Sequence, residues 1–309
     1  MDILSIILIV LGLILFETVS SIDNAIINAQ VLSTMKEWAR RWFLLWGLII
    51  GVFLVRGILP FIIIWVTNTS LSPVEVITAT FSNDPHVLEA IEASSPILLI
   101  GGGTFLIFLF FHWLFMEPKR FGLRGEGFFM RQGVWFYAVI SVILTLIVWF
   151  SLKINPFMAL GAVIGSTAFF ITHGFKQNAE TAEEKLLSSN QSDISKIFYL
   201  EVIDATFSID GVLGAFAFTL SIPLILLGNG LGAIVVRQVT VSNIDRIKKY
   251  VYLKNGAMYS ILFLGLIMVL ESFGVPIPPW FSPVITFAVV GYFFLKSKLE
   301  LSRNPDVSI

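Results

Sequence analysis

The chain has 309 residues, of which 56% are hydrophobic and only 13% charged, with a mean hydropathy of +0.88. A soluble domain carries about a quarter charged residues, so this composition excludes a soluble nucleic-acid binder, a cytosolic enzyme and a disordered chain. The 20 basic and 21 acidic residues leave a formal charge of −1 that points to no partner, and the absence of cysteine excludes disulfides, thiolate metal sites and cysteine nucleophiles.

A helix needs about 20 apolar residues to cross a bilayer. In chain order, nine such segments are expected: 3–32, 41–66, 96–116, 133–151, 155–173, 197–217, 222–241, 252–271 and 281–296. The first follows Met1-Asp2 with no basic stretch before it, so it is expected to be a retained span. Only Lys153–Pro156 divides the fourth from the fifth, and only Ser221–Pro223 the sixth from the seventh. In the loop 67–95, Asp84-Pro85 reads as an N-cap with proline at the first helical position, predicting a short surface helix near Val87–Ile91. Residues 176–196 read as a solvated linker.

The loops after odd-numbered spans hold 17 of the 20 basic residues, whereas the opposite loops hold Lys153 alone. Cytoplasmic loops carry the lysine and arginine excess. The expectation is a multi-pass cell-membrane protein, N-terminus outside and C-terminus cytoplasmic, with the lipid bilayer as its surroundings and no nucleic acid as partner. Its oligomeric state is not readable from the sequence.

The second half echoes the first. Glu17 through Ser21-Ile22-Asp23-Asn24 matches Asp204 through Ser208-Ile209-Asp210-Gly211, and Gly47, Gly51 and Arg56 match Gly228, Gly232 and Arg237. Two spans lie between the three-span copies, so the first begins outside and the second inside, and they are expected to be inverted repeats of three helices, an architecture of secondary transporters. The fold class is therefore an all-α polytopic membrane protein. Its expected parts are a first repeat over 1–117, two linking spans and a loop over 118–196, a second repeat over 197–272, and a final span with its tail over 273–309.

The charges inside these spans carry the functional argument, since insertion scales price an Asp, Lys or Arg at a helix centre at about 2.5–3.5 kcal/mol. Glu17, Asp23, Glu201, Asp204 and Asp210 are five acids against two guanidiniums, Arg56 and Arg237, which are expected to be their charge partners. The surplus calls for protons or cations. Glu17, Ser20, Ser21, Asn24 and Asn28 share one helical face, as do Glu201, Asp204, Ser208 and Gly211. Asp23 and Asp210 lie six residues beyond their partner acids, about 240° around an ideal helix. Either the helices unwind at Ser-Ile-Asp and all four acids converge, or the two faces serve different partners. The weaker helix formers Asn24 and Gly211 favour unwinding. Carboxylate, amide and hydroxyl oxygens suit hard divalent ions. The expected cation site is Glu17, Asp23, Asn24, Asp204 and Asp210, with Glu201, Ser20, Ser21 and Ser208 accessory. His112 and His173 read as packed or interfacial residues.

Those two motifs, each followed by a glycine-spaced span ending in arginine, resemble the TerC integral membrane family, named for tellurium resistance, within the wider lysine-exporter-like superfamily. The resemblance covers residues 5–65 and 195–275. It implies that Glu17, Asp23, Asn24, Asp204 and Asp210 line a metal path and that manganese is the favoured substrate, with no permanently bound cofactor. Export of an amino acid or other small solute is the alternative, with Arg56 and Arg237 binding its carboxylate. An intramembrane aspartyl-type enzyme using Asp23 and Asp210 is a third reading; the expectation is that the protein is not an enzyme.

Overall fold

The computed structural model describes the chain apart from residues 1, 48, 52–55, 68–71, 82–84, 120, 189–191, 243 and 304–309, and apart from the side chains of 67, 78–81, 85–90, 179–188, 207, 239–242 and 244–245. Every regular element among the described residues is helical. Five helical segments are long and apolar enough to cross a membrane: Ile3–Ser20, Ile91–Met116, Gly133–Leu152, Pro156–Asn178 and Leu253–Ser272. Arg56–Val66 and Ile222–Gln238 are apolar but shorter. The chain thus has the make-up of a helical membrane protein.

The first apolar segment is two helices, α1 (Ile3–Ser20) and α2 (Ile22–Ser33), hinged at Ser21. Serine competes for backbone hydrogen bonds and is a weak helix former, so the kink falls at the Ser-Ser pair. Along the second segment come α3 (Glu37–Trp42), a wide π turn over Phe43–Gly47, and α4 (Arg56–Thr67). Such turns recur at functional sites. Next is α5 (Pro73–Phe81), which the sequence reading passed over although its signal is local: Ser72 Oγ accepts from the Glu75 amide at 3.3 Å, and Glu75 Oε2 accepts from the Ser72 amide at 2.7 Å. That is a reciprocal capping box with proline at the first helical position.

The expected surface helix near Val87 is instead the start of α6 (Pro85–Met116), a continuous helix of 32 residues. No breaker stands at Glu92–Ser95, and helices tolerate Pro96 when the freed carbonyl finds another partner. A short α7 (Glu126–Arg131) precedes α8 (Phe136–Leu152) and α9 (Pro156–Ser188). The α8–α9 turn is set by Asn155, whose Oδ1 accepts from the Phe157 amide at 2.9 Å. The expected linker 176–196 is helical as far as Ser188, as a continuation of α9. There follow α10 (Asp193–Ala215), α11 (Ile222–Ser242), α12 (Ile244–Ile247), α13 (Leu253–Ser272) and α14 (Phe281–Arg303).

The core is built on α6, which packs along α13 on one side and α9 on the other, while α1 packs along α11. The Gly101–Gly103 run explains how closely these helices approach. A Cβ at Gly103 would stand 2.8 Å from the Gly265 carbonyl oxygen of α13, and one at Gly101 would stand 2.9 Å from that of Gly161 on α9. Small residues at such crossings let backbones meet. In contrast α8 turns Tyr137, Val142, Trp149 and Phe150 outward, a surface suited to lipid rather than water.

Candidate functional site

Four elements meet at one buried polar cluster. Glu17, in the last turn of α1, is only 1% exposed. Its Oε1 accepts from Ser21 Oγ at 2.9 Å and from Arg56 Nη2 at 2.8 Å. Arg56 opens α4 and is 4% exposed, and its Nη1 stands 3.8 Å from Asp204 Oδ2 on α10. Asp204 Oδ1 accepts in turn from Asn24 Nδ2 of α2, at 2.6 Å. One guanidinium therefore sits between two acids that the sequence match pairs with each other. Isolated buried charge is costly, and an ion pair offsets that cost only when the remaining lone pairs are also satisfied. Here they are not. Among the described residues, the buried acceptors Glu17 Oε2, Asn24 Oδ1, Asn28 Oδ1 and Glu201 Oε1 lack a hydrogen-bond partner, as does the donor Arg56 Nε.

Beside the cluster lies a cavity of about 20 Å³, lined on its polar side by Ser21, Asn24, Asn28, Arg56, Asp204 and Arg237. A volume of 10–15 Å³ on this measure admits one water, so the cavity accepts a single water-sized or ion-sized guest.

Glycine makes the cluster possible. A Cβ at Gly51 would lie 2.6 Å from Asp204 Oδ2, and one at Gly47 would strike Glu201 Oε1. Across the match, a Cβ at Gly232 would lie 2.6 Å from Glu17 Cβ, and one at Gly211 would lie 2.7 Å from Glu17 Oε2. Each spaced glycine pair thus clears room for the acid-bearing helix of the other half. Their spacing in the sequence alone does not link these glycines to the acids.

Residues 22–304 match the sequence profile of the family described as "Protein of unknown function (DUF475)". The chain belongs to that family. No curated protein and no solved structure matches it.

In this DUF475 chain the two further aspartates do not join Glu17 and Asp204. Asp23 Oδ2 pairs with Lys254 Nζ of α13 at 2.8 Å, and that lysine also pairs with Glu117 at the end of α6. Asp210 pairs with Lys176 of α9 and keeps one buried oxygen unpartnered. In the first copy the chain does break at Ser21, yet Asp23 turns to Lys254; in the second copy the expected unwinding does not occur. The α10 helix runs unbroken through Ser208, whose hydroxyl bonds back to the Asp204 carbonyl of its own helix. Gly211 serves close approach to Glu17 rather than helix opening. With the helix intact, a six-residue separation leaves the two acids on different faces. Lys176 and Lys254 also reduce the expected acid surplus, because each neutralises an acid from a neighbouring helix; assigning lysines to loops hid them.

Arg237 differs from Arg56. It donates to the Phe43 carbonyl at 2.6 Å and lies over the Phe43 ring at 4.5 Å, with Asp204 and Glu201 near enough to act on its charge. Ser20 bonds its own helix at the Glu17 carbonyl. His112 and His173 meet between α6 and α9 with their rings tilted and centroids 3.9 Å apart, beside Phe136 and Phe169, the latter stacked on His173; His86 lies outside the described side chains. Asn229 of α11, fully buried with both amide atoms unpartnered, is a polar residue the sequence reading missed; an asparagine in an apolar helix was the available signal. Among the described residues no three His, Asp or Glu side chains are gathered as a ready-made metal site. Between Glu17 and Asp204 stands Arg56.

Proposed function

We propose that this protein is a membrane transporter that moves divalent cations, manganese favoured, through the Glu17–Asp204 cluster. The observation that carries this is the placement of two matched acids on either side of one guanidinium, beside unpartnered amide oxygens and a cavity of ion size. Arg56 acts as a tethered stand-in for the substrate. A cation entering between Glu17 and Asp204 displaces the guanidinium and takes carboxylate oxygens from both halves, together with the amide oxygens of Asn24 and Asn28. All are hard donors, the kind that manganese, magnesium and calcium prefer. A buried site that trades an internal cation for a transported one is never left with two bare acids, which is what low-dielectric surroundings require.

The reciprocal glycine contacts, in which each half makes room for the other's acid, support a pair of inverted units rocking about a central site. The segregation of basic residues supports an N-terminus outside and a C-terminus in the cytoplasm of a cell membrane. The resemblance to the TerC family points the same way.

The test is metal accumulation in cells with and without the protein, across manganese, magnesium, calcium, iron and zinc. Glu17→Gln and Asp204→Asn, which keep shape and remove charge, should abolish any difference. An unchanged manganese difference in both variants overturns the reading. The alternative, an exported amino acid whose carboxylate pairs with Arg56 and Arg237, both of which line the cavity, requires the site to widen well beyond its 20 Å³. Efflux of labelled amino acids with no effect on any metal would select that alternative.

A further inference from the structure

A second cavity, of about 800 Å³, lies at the end of the molecule where α6 begins, α10 ends and α13 turns into α14. Two acids, Glu92 and Glu271, line it with hydroxyls from Ser95, Thr219 and Ser221, and among the described residues none of its lining is a lysine, arginine or histidine. Its volume is of ligand size, and some forty times that of the cavity beside Glu17. At about 10–15 Å³ per water on the same measure, the six waters of a hydrated divalent ion need about 60–90 Å³, so the larger space admits the hydrated ion and the smaller one does not.

The cavity's floor includes Phe216 and Phe218, both buried. The Phe218 ring lies 5.8 Å from that of Phe16, the residue next to Glu17. Gly12 permits this closure, since a Cβ there would lie 2.8 Å from Phe218. An aromatic contact therefore stands between a wide acidic space and the buried cluster. The geometry points to an aqueous outer vestibule that gathers hydrated divalent cations on the far side of a Phe16–Phe218 plug from the Glu17–Asp204 cluster. This rests on the transport reading and adds to it a second cation-binding place, its ligands and its side of the membrane.

The alternative occupant is lipid, since apolar walls beside a bilayer can take acyl chains. The cysteine-free chain in intact cells separates the two. Thr219→Cys places a thiol in the cavity, and Val74→Cys, on exposed α5, serves as reference. Both are treated with membrane-impermeant methanethiosulfonates, one carrying trimethylammonium and one sulfonate. Acid-lined clefts raise local cation concentration by about ten-fold or more. The cation-to-anion rate ratio at Thr219→Cys should therefore exceed that at Val74→Cys about ten-fold, and should fall at least about three-fold with Glu271→Gln. Manganese should slow the cationic reagent more than sodium chloride of equal ionic strength. Ser95→Cys, on the opposite wall, repeats the measurement because Thr219 Oγ1 accepts a turn hydrogen bond from the Ser221 amide. No modification by either reagent, equal ratios at cavity and reference, or labelling from the cytoplasmic side alone would each overturn the vestibule. None of these readouts needs transport, so a failed metal-accumulation assay and a failed vestibule are distinct results.

Discussion

Removing Arg56 tests the cluster most directly. Its Nη2 lies 2.8 Å from Glu17 Oε1 with both side chains almost wholly buried, and Asp204 stands on its other side. Truncation to alanine leaves two buried acids facing each other without a cation. Breaking a buried pair from one side costs about 3–5 kcal/mol. At about 2 °C per kcal/mol for a chain of this size, Arg56→Ala should unfold about 6–10 °C below the parent protein. A divalent ion can take the vacated place, and a ligand at 100 times its Kd stabilises the folded state by about 2.7 kcal/mol. Manganese chloride should therefore restore about 5 °C in Arg56→Ala and raise the parent protein much less, because there it must first displace the guanidinium. Arg56→Lys, which keeps charge but loses the planar fork, should fall between. The assay is thermal unfolding of detergent-solubilised protein, with the folded fraction read by size exclusion, with and without manganese. A loss under about 2 °C, or equal manganese shifts in variant and parent, would refute the reasoning.

Asp23→Asn and Asp210→Asn, at acids held by Lys254 and Lys176 rather than by the cluster, should leave manganese affinity unchanged while Glu17→Gln lowers it at least about ten-fold in equilibrium binding. Gly232→Ala should reduce folded protein, since overpacking costs about 1–3 kcal/mol; Gly274→Ala, where φ is +83° and nothing crowds the new Cβ, should cost only about 1 kcal/mol of backbone strain by thermal unfolding. Glu126→Ala should cost about 1–3 kcal/mol, because the buried carboxylate accepts from Asn255 Nδ2 at 3.1 and 2.9 Å and its loss strands that amide. Val74→Cys should react with an impermeant thiol reagent in intact cells and Ser302→Cys should not, unless the orientation is reversed.

Composition and patterning by themselves determined that the chain is helical and bilayer-suited, and hydropathy located α8 and α13 to within a few residues, while α6 and α9 run well beyond the expected spans and the first span is broken at Ser21. These properties follow from local rules: apolar run length, Asn155-Pro156 as a helix start, and Ser-Ser as a kink. The capping box at Ser72–Glu75 was equally local and could have been read. The internal match also selected Glu17, Asp204 and Arg56, because charge in an apolar segment is costly enough to mark itself.

Partnership was decided by the tertiary structure. Which basic group meets which acid depends on helix rotation, and a continuous α10 turns Asp204 and Asp210 to different neighbours. Lys176 and Lys254 became partners because their helices bring them alongside α10 and α2, a proximity between residues dozens to hundreds of positions apart in the chain. The glycines show the same limit from the other side. Their spacing announces that something approaches closely, but only the packed helices reveal that it is a carboxylate, since a missing Cβ specifies room and not the group that fills it.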